Sequence, residues 1–174
     1  MNSIENHQRF PSLSIKPHRL QFFLDQFPLV ILGLALIVGH FCVLSNDRTF
    51  MGLMWHYGSM YANWGLAIYF VYQYLSFTRI RYVITQEQLI YMHGLIRHAT
   101  DYMELYRVID YNQGRGGLQQ LFGLKTVVIY SGDRNTPVME ISGVREDVNV
   151  VGEIRRRVEY NKKVNHVYEV TNRG

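Results

Sequence analysis

The residues of this chain that could do chemistry do not complete a catalytic or ligand-binding motif. A cluster of glycines ends at Gly117, and Gly123, Lys125 and Thr126 follow it. A nucleotide-binding phosphate loop needs lysine directly after its second glycine, but Leu124 stands between Gly123 and Lys125. The surrounding pattern predicts strand, turn and strand, so no helix N-terminus would gather amide groups around a phosphate. The spacing therefore argues against a nucleotide triphosphatase.

Histidines and carboxylates are also present, but their spacing is not typical of a metal site or an acid–base pair. His93 and His98 flank a predicted hairpin and could face each other, yet a zinc site needs further ligands. The one cysteine, Cys42, excludes a disulfide or a cysteine-based zinc site within one chain. Nothing marks a nucleophile or a paired acid and base among the neighbouring carboxylates, which are Asp101, Glu104 and Asp110. We therefore expect a non-enzymatic protein with no catalytic residues, no metal and no cofactor.

The composition of the chain changes near Arg79. The 174 residues carry a formal net charge of +4, and the mean hydropathy of -0.09 averages two different halves. Two long uncharged stretches precede Arg79, whereas charged residues recur every few positions after it. A basic protein can bind nucleic acid, but in a membrane protein basic residues also set topology and attract anionic lipid. We expect the membrane explanation and no nucleic-acid partner.

The two uncharged stretches predict two transmembrane helices. The first, residues 26–45, approaches the roughly 20 apolar residues that cross a bilayer core. The second, residues 58–78, carries aromatic side chains toward both ends, as membrane-interface belts do. Residues 46–57 would form a short external loop. A cleaved signal peptide is the alternative for the first stretch, but about 25 mostly polar residues precede it and no clear cleavage site follows it.

The charges that flank these helices predict their orientation. The connecting loop offers only Arg48 against Asp47. Basic residues lie at the other ends of both predicted helices: Lys16, His18, Arg19, Arg79 and Arg81. By the positive-inside rule, both termini lie in the cytoplasm, together with an N-terminal segment of residues 1–25. The protein would then be a multi-pass membrane protein.

Polar and small residues within the predicted spans are candidates for contacts. His40, Asn63 and Gln73 would face a partner or water; alternatively, His40 and Gln73 lie near the membrane interfaces and Asn63 bonds a neighbouring helix. Small residues at spacings of three or four let helices approach closely. They predict a helix-packing face made of Gly58, Ala62, Asn63 and Gly65. This face would hold the hairpin together or pair protomers.

After Arg79 the pattern predicts short strands separated by turns. The runs are RYVIT, QLIYMH, IRHATDYM, LYRVIDYN, LKTVVIYS and PVMEIS. Gly94 is predicted to turn a hairpin between the second and third runs. Apolar residues at helical spacing then predict one amphipathic helix behind the N-cap Asp147: Val148, Val151, Ile154 and Val158. These elements predict a small barrel or sandwich with one helix.

The stretch RYVITQEQLIYMHGLIRHATDYMELYRVIDYNQGRGGLQQLFGLKTVVIYS resembles the bacterial pleckstrin-homology-like (PH-like) domain family of small membrane proteins. The similarity lies in a Y-x-x-T-x-x-x-L strand, a glycine hairpin, an R-V-I-D strand and an L-Q-x-L-F-G turn. It covers about residues 79–163 and implies a membrane α + β fold. In this fold, a two-helix transmembrane hairpin precedes a PH-like seven-stranded β-barrel, which a C-terminal amphipathic helix caps. Residues 79–164 would be the cytoplasmic PH-like domain at the bacterial inner membrane, and residues 165–174 a C-terminal tail.

The resemblance also implies roles for residues around the L-Q-x-L-F-G turn. Gly123 would permit a tight bend, and Leu118, Leu121 and Phe122 would fill the core beneath it. The glycines that precede this turn are additional to the family pattern. They suggest a candidate partner-binding loop made of Gly114, Arg115, Gly116 and Gly117.

A second candidate surface lies on the predicted C-terminal helix. Basic residues near an anionic leaflet each contribute about 1 kcal/mol, and here they would orient a barrel that the membrane helices already tether. The alternative is an ordinary solvated helix face. The candidate lipid-headgroup patch consists of Arg155, Arg156, Arg157, Lys162 and Lys163.

Two functional hypotheses follow from these features. The first is a non-enzymatic membrane-anchored scaffold or accessory subunit, whose PH-like domain contacts partner proteins, copies of itself or lipid headgroups. The second is a ligand-gated membrane effector of the cyclic-nucleotide type, which would oligomerise and disrupt the membrane in bacterial defence. A transporter or channel alone is less favoured, because two helices form a pathway only as an oligomer. The expected partners are therefore the membrane, further copies or a membrane complex, and anionic lipid.

Overall fold

The computed structural model describes residues 10–44 and 49–165. The chain divides into two compact units. Residues 1–21 and 79–174 form the sheet unit, and residues 22–78 form the helical unit. The sheet unit is therefore built from two separated parts of the sequence.

The described part of the sheet unit contains seven strands in two antiparallel sheets. The first sheet has the order β1-β2-β3-β4 and the second the order β5-β6-β7. The strands are β1 (Leu13–Ile15), β2 (Arg81–Ile84), β3 (Gln88–His93), β4 (Ala99–Glu104), β5 (Val108–Gly114), β6 (Leu124–Ser131) and β7 (Val138–Arg145). Each of the six predicted runs overlaps one strand, and β4, β5 and β7 extend beyond their runs. Within the described residues, backbone hydrogen bonds connect these strands into two separate sheets. The predicted closed barrel is therefore not seen in this part of the chain.

Strand β1 comes from the N-terminal segment that the sequence analysis kept separate. It pairs antiparallel with β2, with Leu13 opposite Ile84 and Ile15 opposite Tyr82. Ile15 is buried and Ser14 is exposed, which is the alternation of a half-buried strand. The assignment of residues 1–25 to a separate segment therefore needs correction. The chain leaves the sheet unit after β1 and returns to it with β2.

Two glycines turn the chain where the sequence predicts turns. Gly94 has a φ of 96° between β3 and β4, and Gly123 has a φ of 61° immediately before β6. Glycine adopts this left-handed conformation without the steric cost that a Cβ atom brings. The Gly94 hairpin and the Gly123 bend are therefore confirmed.

The core of the sheet unit is one apolar cluster to which both sheets and a C-terminal helix contribute. Ile84 and Leu89 come from the first sheet and Ile129 from the second, and all three are fully buried. Helix α5 (Val150–Val164) adds Ile154 and Val158. The predicted amphipathic helix therefore covers the core, although Val148 of the predicted stripe precedes the helix and is exposed.

The start of the C-terminal helix differs from the prediction. Asn149 is the N-cap, because its side-chain oxygen accepts a hydrogen bond from the Gly152 N–H at 3.0 Å. Asp147 lies two residues earlier and forms an ion pair with Arg145 at 3.2 Å. The N-cap assignment to Asp147 is therefore wrong.

The helical unit consists of the end of a short helix and two long helices. Helix α1 (Arg19–Asp25) leads from the sheet unit into α2 (Phe27–Leu44), and α3 (Phe50–Thr78) follows. The predicted external loop, residues 46–57, is helical from residue 50 onward, while residues 45–48 lie outside the described residues.

The length and hydropathy of a helix decide whether it could span a membrane, and the helices of the described residues differ in both. No helix taken singly is long and apolar enough to cross a membrane. Arg19–Asp25 and Phe27–Cys42, which meet at a bend of 62°, are long and apolar enough when taken together.

Candidate interaction site

The short helix α4 (Gly117–Leu121) lies between β5 and β6 and is held by a buried polar network. The Gln119 side-chain amide donates to Gln21 Oε1 and to Thr126 Oγ1, both at 2.9 Å. Gln119 Oε1 accepts the Gly116 N–H at 2.8 Å. Because Gln21 and Gln119 are both buried, losing one partner would leave a polar group without compensation. The network fixes α4 against the segment that follows β1.

A close backbone approach supports the same junction. The Gly143 carbonyl in β7 accepts the His18 N–H at 2.9 Å. Gly143 has a φ of 65°, and a Cβ atom there would lie 2.7 Å from Cβ of Gln21. Glycine is required at this position both for its conformation and for the space that Gln21 occupies. Residues 18–21 are thus held against the second sheet.

The apolar residues of α4 do not fill the core, which corrects the sequence prediction. Leu118 is 40% exposed, Leu121 is 77% exposed and Phe122 is 50% exposed. The helix turns Gln119 inward instead, because that side chain joins the buried network. We call Leu118, Leu121 and Phe122 the α4 patch. Large apolar side chains exposed together are typical of interaction sites.

The predicted partner-binding loop is exposed and borders the α4 patch. Gly114 is the last residue of β5 and Gly117 is the first of α4, so Arg115 and Gly116 alone connect the two elements. Arg115 forms an ion pair with Glu146 at 2.7 Å. The local order is strand, loop and helix, so the predicted strand-turn-strand context is wrong. The helix has only five residues, and the lysine spacing still does not fit a phosphate loop.

The predicted lipid-headgroup patch is only partly a solvent-facing basic surface. Arg155 pairs with Glu159 at 3.0 Å, and Arg156 pairs with Glu153. These pairs offset much of the positive charge of the helix face. Lys163 is exposed, and Lys162 is half-buried.

Arg157 does not belong to that surface, because it is 1% exposed. Its guanidinium donates to Glu153 Oε2 at 2.7 Å and to the Pro11 carbonyl at 2.8 Å. It also lies over the Phe10 ring, 5.2 Å from the centroid. Burial lowers the pKa of Arg157, although arginine stays charged in proteins. Arg157 therefore ties the residues before β1 to α5.

One histidine and one carboxylate of the predicted hairpin, His93 and Asp101, contact each other beside two stacked tyrosines. His93 pairs with Asp101 at 3.2 Å and stacks on Tyr91, with 4.5 Å between ring centroids. Tyr91 stacks in turn on Tyr82. Burial is the main cause that raises the pKa of both tyrosines. His93 thus contacts a tyrosine and a carboxylate, and the described residues contain no group of three or more potential ligands that could hold a metal.

The predicted helix-packing face does not join the two helices of the hairpin. Gly58, Ala62 and Gly65 are exposed, and nothing lies within 4 Å of a Cβ atom built on either glycine. Pairing of the hairpin through this face is therefore wrong, whereas pairing of protomers is not tested. The α3 residues that turn inward recur at spacings of four and three: Gly52, His56, Ser59, Asn63, Leu66 and Phe70.

Polar contacts accompany this inward face, and sequence reasoning missed part of them. His40 Nδ1 and Ser59 Oγ lie 2.7 Å apart across the two helices, and the His40 and His56 rings stack at 4.7 Å. Asn63 donates to the Ser59 carbonyl of its own helix, and Gln73 donates to the Tyr69 hydroxyl. The bond predicted from Asn63 to a neighbouring helix is therefore not seen. His56 was missed, although it precedes Asn63 by seven residues on the same face.

An apolar groove of about 680 Å³ runs between α2 and α3. Gly33 and Ala67 line it with larger apolar side chains, and His40 and Asn63 add its polar groups. Met60, Trp64 and Ala67 each follow a residue of the small-residue face by two positions. Two positions correspond to about 200° around a helix, so these three groove residues lie opposite Gly58, Ala62 and Gly65, whereas Asn63, the fourth residue of the predicted face, lines the groove.

The fold of the sheet unit indicates the class of protein to which the chain belongs. Two antiparallel sheets, an apolar core and a C-terminal helix form a PH-like fold, which suggests a module for protein or lipid contacts. The family model described as bacterial PH domain matches residues 24–162. The chain therefore belongs to the bacterial PH domain family, as the sequence resemblance indicated. No curated protein and no solved structure matches the chain.

Proposed function

We propose that the protein is a non-enzymatic, membrane-anchored scaffold or accessory subunit. The helical unit crosses the bacterial inner membrane as a hairpin, and the sheet unit contacts partner proteins, further copies or lipid headgroups in the cytoplasm. The family membership supports the contact role, because a PH-like domain suggests an interaction module. No described feature favours a cyclic nucleotide over other ligands, so the gated effector is not proposed.

The apolar outer surface of the helical unit carries this proposal. Helix α2 contains no charged residue, and Leu32, Leu34 and Phe41 are about half exposed or more although they lie on different sides of it. On α3, Met51, Trp64 and Ile68 are likewise exposed. A helix that is hydrophobic all round needs an apolar surrounding, either a protein core or lipid. Lipid would cover this surface in a single chain.

The pairing of β1 with β2 supports a hairpin topology. Residues 13–15 and 81–84 lie side by side in one sheet, so the chain that leaves the sheet unit must return to it. Any membrane crossings between these strands must then be even in number. The basic residues that flank the two helices favour the cytoplasm as the side of the sheet unit.

Several polar side chains of the helical unit have hydrogen-bond partners, as side chains within a membrane need. The His40–Ser59 contact and the Asn63 bond to its own backbone give these side chains partners, which lowers the cost of placing them in hydrocarbon. The exposed small residues Gly58, Ala62 and Gly65 leave room on α3 for packing between copies. Self-association through the helices is therefore part of the proposal.

Membrane anchoring and sidedness can be tested on the full chain produced in bacteria. We expect the protein to stay with the membranes after carbonate extraction. With Cys42 replaced by alanine and Asn135→Cys placed in the exposed β6–β7 turn, an impermeant maleimide should label the sheet unit only after the membrane is opened. Labelling of intact cells would contradict the cytoplasmic placement, and release by carbonate would contradict anchoring.

The scaffold role needs a separate measurement. Mild crosslinking in membranes, followed by sizing in detergent, should yield a homo-oligomer or a defined complex. A protein that stays monomeric in detergent and recovers no crosslinked species would contradict a scaffold.

A further inference from the structure

We propose that the α4 patch dips into the lipid surface and holds the sheet unit at an anionic membrane. This inference rests on the proposed membrane anchoring and names a second, peripheral contact with the same bilayer. The patch was defined above as Leu118, Leu121 and Phe122. Its partner would be the boundary between headgroups and acyl chains, where short apolar faces flanked by basic residues insert about 5–10 Å.

The patch is apolar because the fold turns the polar residue of α4 inward. Gln119 is buried in its hydrogen bonds to Gln21 and Thr126. The large apolar neighbours of Gln119 are consequently directed to the surface, and Leu121 is 77% exposed. A core-forming role would have required the opposite orientation. The network thus keeps these apolar side chains at the surface, although their exposure to water is unfavourable.

The chain itself limits how far the patch can lie from the membrane. Gln21, which bonds to Gln119, precedes the first residue of α2, Phe27, by six residues. Six residues reach no more than about 22 Å even when fully extended. If α2 enters the bilayer near Phe27, Gln21 remains within that reach of the membrane surface, and α4 is hydrogen-bonded to Gln21. A protein partner would have no such built-in proximity.

The segment that leads into α2 also carries exposed apolar side chains. Leu20 and Phe23 on α1 are exposed, as is Phe27 at the start of α2. Leu20 and Phe23 are three residues apart, which is the spacing of one face of α1, whereas Phe27 is the first residue of α2. This segment would therefore add exposed apolar side chains close in sequence to the membrane helix.

Basic residues near the patch match an anionic lipid surface. Residues 16–21 contain Lys16 and Arg19 and no acidic residue. A cavity of about 370 Å³ beside Phe122 is lined by His18 and Arg145 and also by Glu146 and Asp147, and Arg145 pairs with Asp147 in an exposed ion pair. Exposed ion pairs are weak, so a lipid phosphate can compete for the arginine. Charge thus favours anionic lipid over a neutral surface.

Depth-dependent quenching in vesicles tests this contact. In a Cys42→Ala background, Leu121→Cys and Ile96→Cys would each carry an environment-sensitive fluorophore. The two sites are matched, because Ile96 is 79% exposed and lies in the β3–β4 turn. The protein would be reconstituted into vesicles of phosphatidylcholine and phosphatidylglycerol that contain acyl-chain spin labels. We expect quenching at residue 121 to exceed that at residue 96 by about twofold or more, as insertion to headgroup depth requires.

A second reporter controls for the fluorophore drawing its own site into lipid. The label is placed on exposed Gln120, with and without the double substitution Leu121→Ser and Phe122→Ser. Quenching of this label should fall in the double variant, and also in vesicles without phosphatidylglycerol. Because both substituted residues are exposed, the circular dichroism spectrum should stay the same.

The outcomes separate this inference from the proposed function. Equal quenching at residues 121 and 96, in protein that stays with the vesicles after carbonate extraction, would overturn the lipid contact and leave anchoring intact. A blue-shifted Leu121 label that the spin-labelled lipids do not quench would assign the patch to a protein contact and also overturn it. Protein released by carbonate would contradict the proposed function itself.

Discussion

The sheet unit places its large apolar residues inside, whereas the helical unit leaves many of them on its surface. Leu89 and Leu105 of the sheet unit are fully buried, while Leu34 of α2 and Ile68 of α3 are more than half exposed. The same residue types thus face two different surroundings within one chain. The sheet unit thus provides its own core, whereas the helical unit leaves large apolar side chains that its own packing does not cover.

The strongest test of this contrast compares two leucines. Leu89→Ala removes a fully buried side chain and should lower the free energy of unfolding by about 2–5 kcal/mol. Leu34→Ala removes an outward-facing side chain and should cost less than about 1 kcal/mol in detergent. Denaturant unfolding followed by circular dichroism measures both. The contrast between the units would break if Leu34→Ala were as costly as Leu89→Ala.

Two neighbouring arginines sharpen the contrast between inside and outside within the sheet unit. Arg157→Met leaves the Pro11 carbonyl and Glu153 without their buried donor, and should cost about 3 kcal/mol, as when one partner of a buried pair is removed. Arg156→Met breaks an exposed pair and should cost no more than about 1 kcal/mol. Thermal unfolding of the two variants side by side gives the difference. Equal losses would mean that the tie between Pro11 and α5 does not stabilise the unit.

The contact between Gly143 of β7 and Gln21 of α1 can be tested by adding one methyl group at residue 143. Gly143→Ala places a Cβ atom against Gln21 at a positive φ, and should cost about 1–3 kcal/mol. Gly114→Ala, where nothing lies within 4 Å, is the matched control and should be nearly neutral. Faster proteolysis near residue 21 in Gly143→Ala alone would support the junction. The opposite ranking of the two variants would argue against it.

The smallest expected effect concerns alkaline pH. Burial raises the pKa of Tyr82, with Tyr91 and Glu140 adding to the shift. Above about pH 10, the ordinary tyrosine pKa, the unfolded chain loses this proton first, so the free energy of unfolding falls as pH rises. Tyr82→Phe should therefore lose less stability than the parent between about pH 9 and about pH 11. Parallel pH profiles of Tyr82→Phe and the parent would contradict a tightly held Tyr82 proton.

Alternation and turn residues predicted much of the sheet unit. The six β-rich runs and the glycines at 94 and 123 are local signals, so each could be recognised within a few residues. Strand β1 was missed because it has only three residues and pairs with a strand about 70 positions later. Its signal was the alternation Leu13, Ser14 and Ile15 between two prolines.

The candidate sites were harder to predict because residue type alone does not show which way a side chain faces. Arg157 looks like its two neighbours, but it lies three residues after Ile154 and four before Asn161, both buried. Helical spacing from these two residues therefore indicated that Arg157 would be buried. The outward turn of Leu121 had no such signal, since it depends on the contact between Gln119 and the distant Gln21.

Tryptophan fluorescence tests most directly whether lipid covers the helical unit. The chain has two tryptophans, Trp55 and Trp64, both on α3, and Trp55→Phe leaves the outward-facing Trp64 as the sole reporter. In vesicles whose acyl chains carry bromine, the account predicts strong quenching of Trp64 and little quenching by acrylamide from the water. Emission that bromine leaves unchanged and acrylamide quenches would contradict membrane anchoring through these helices.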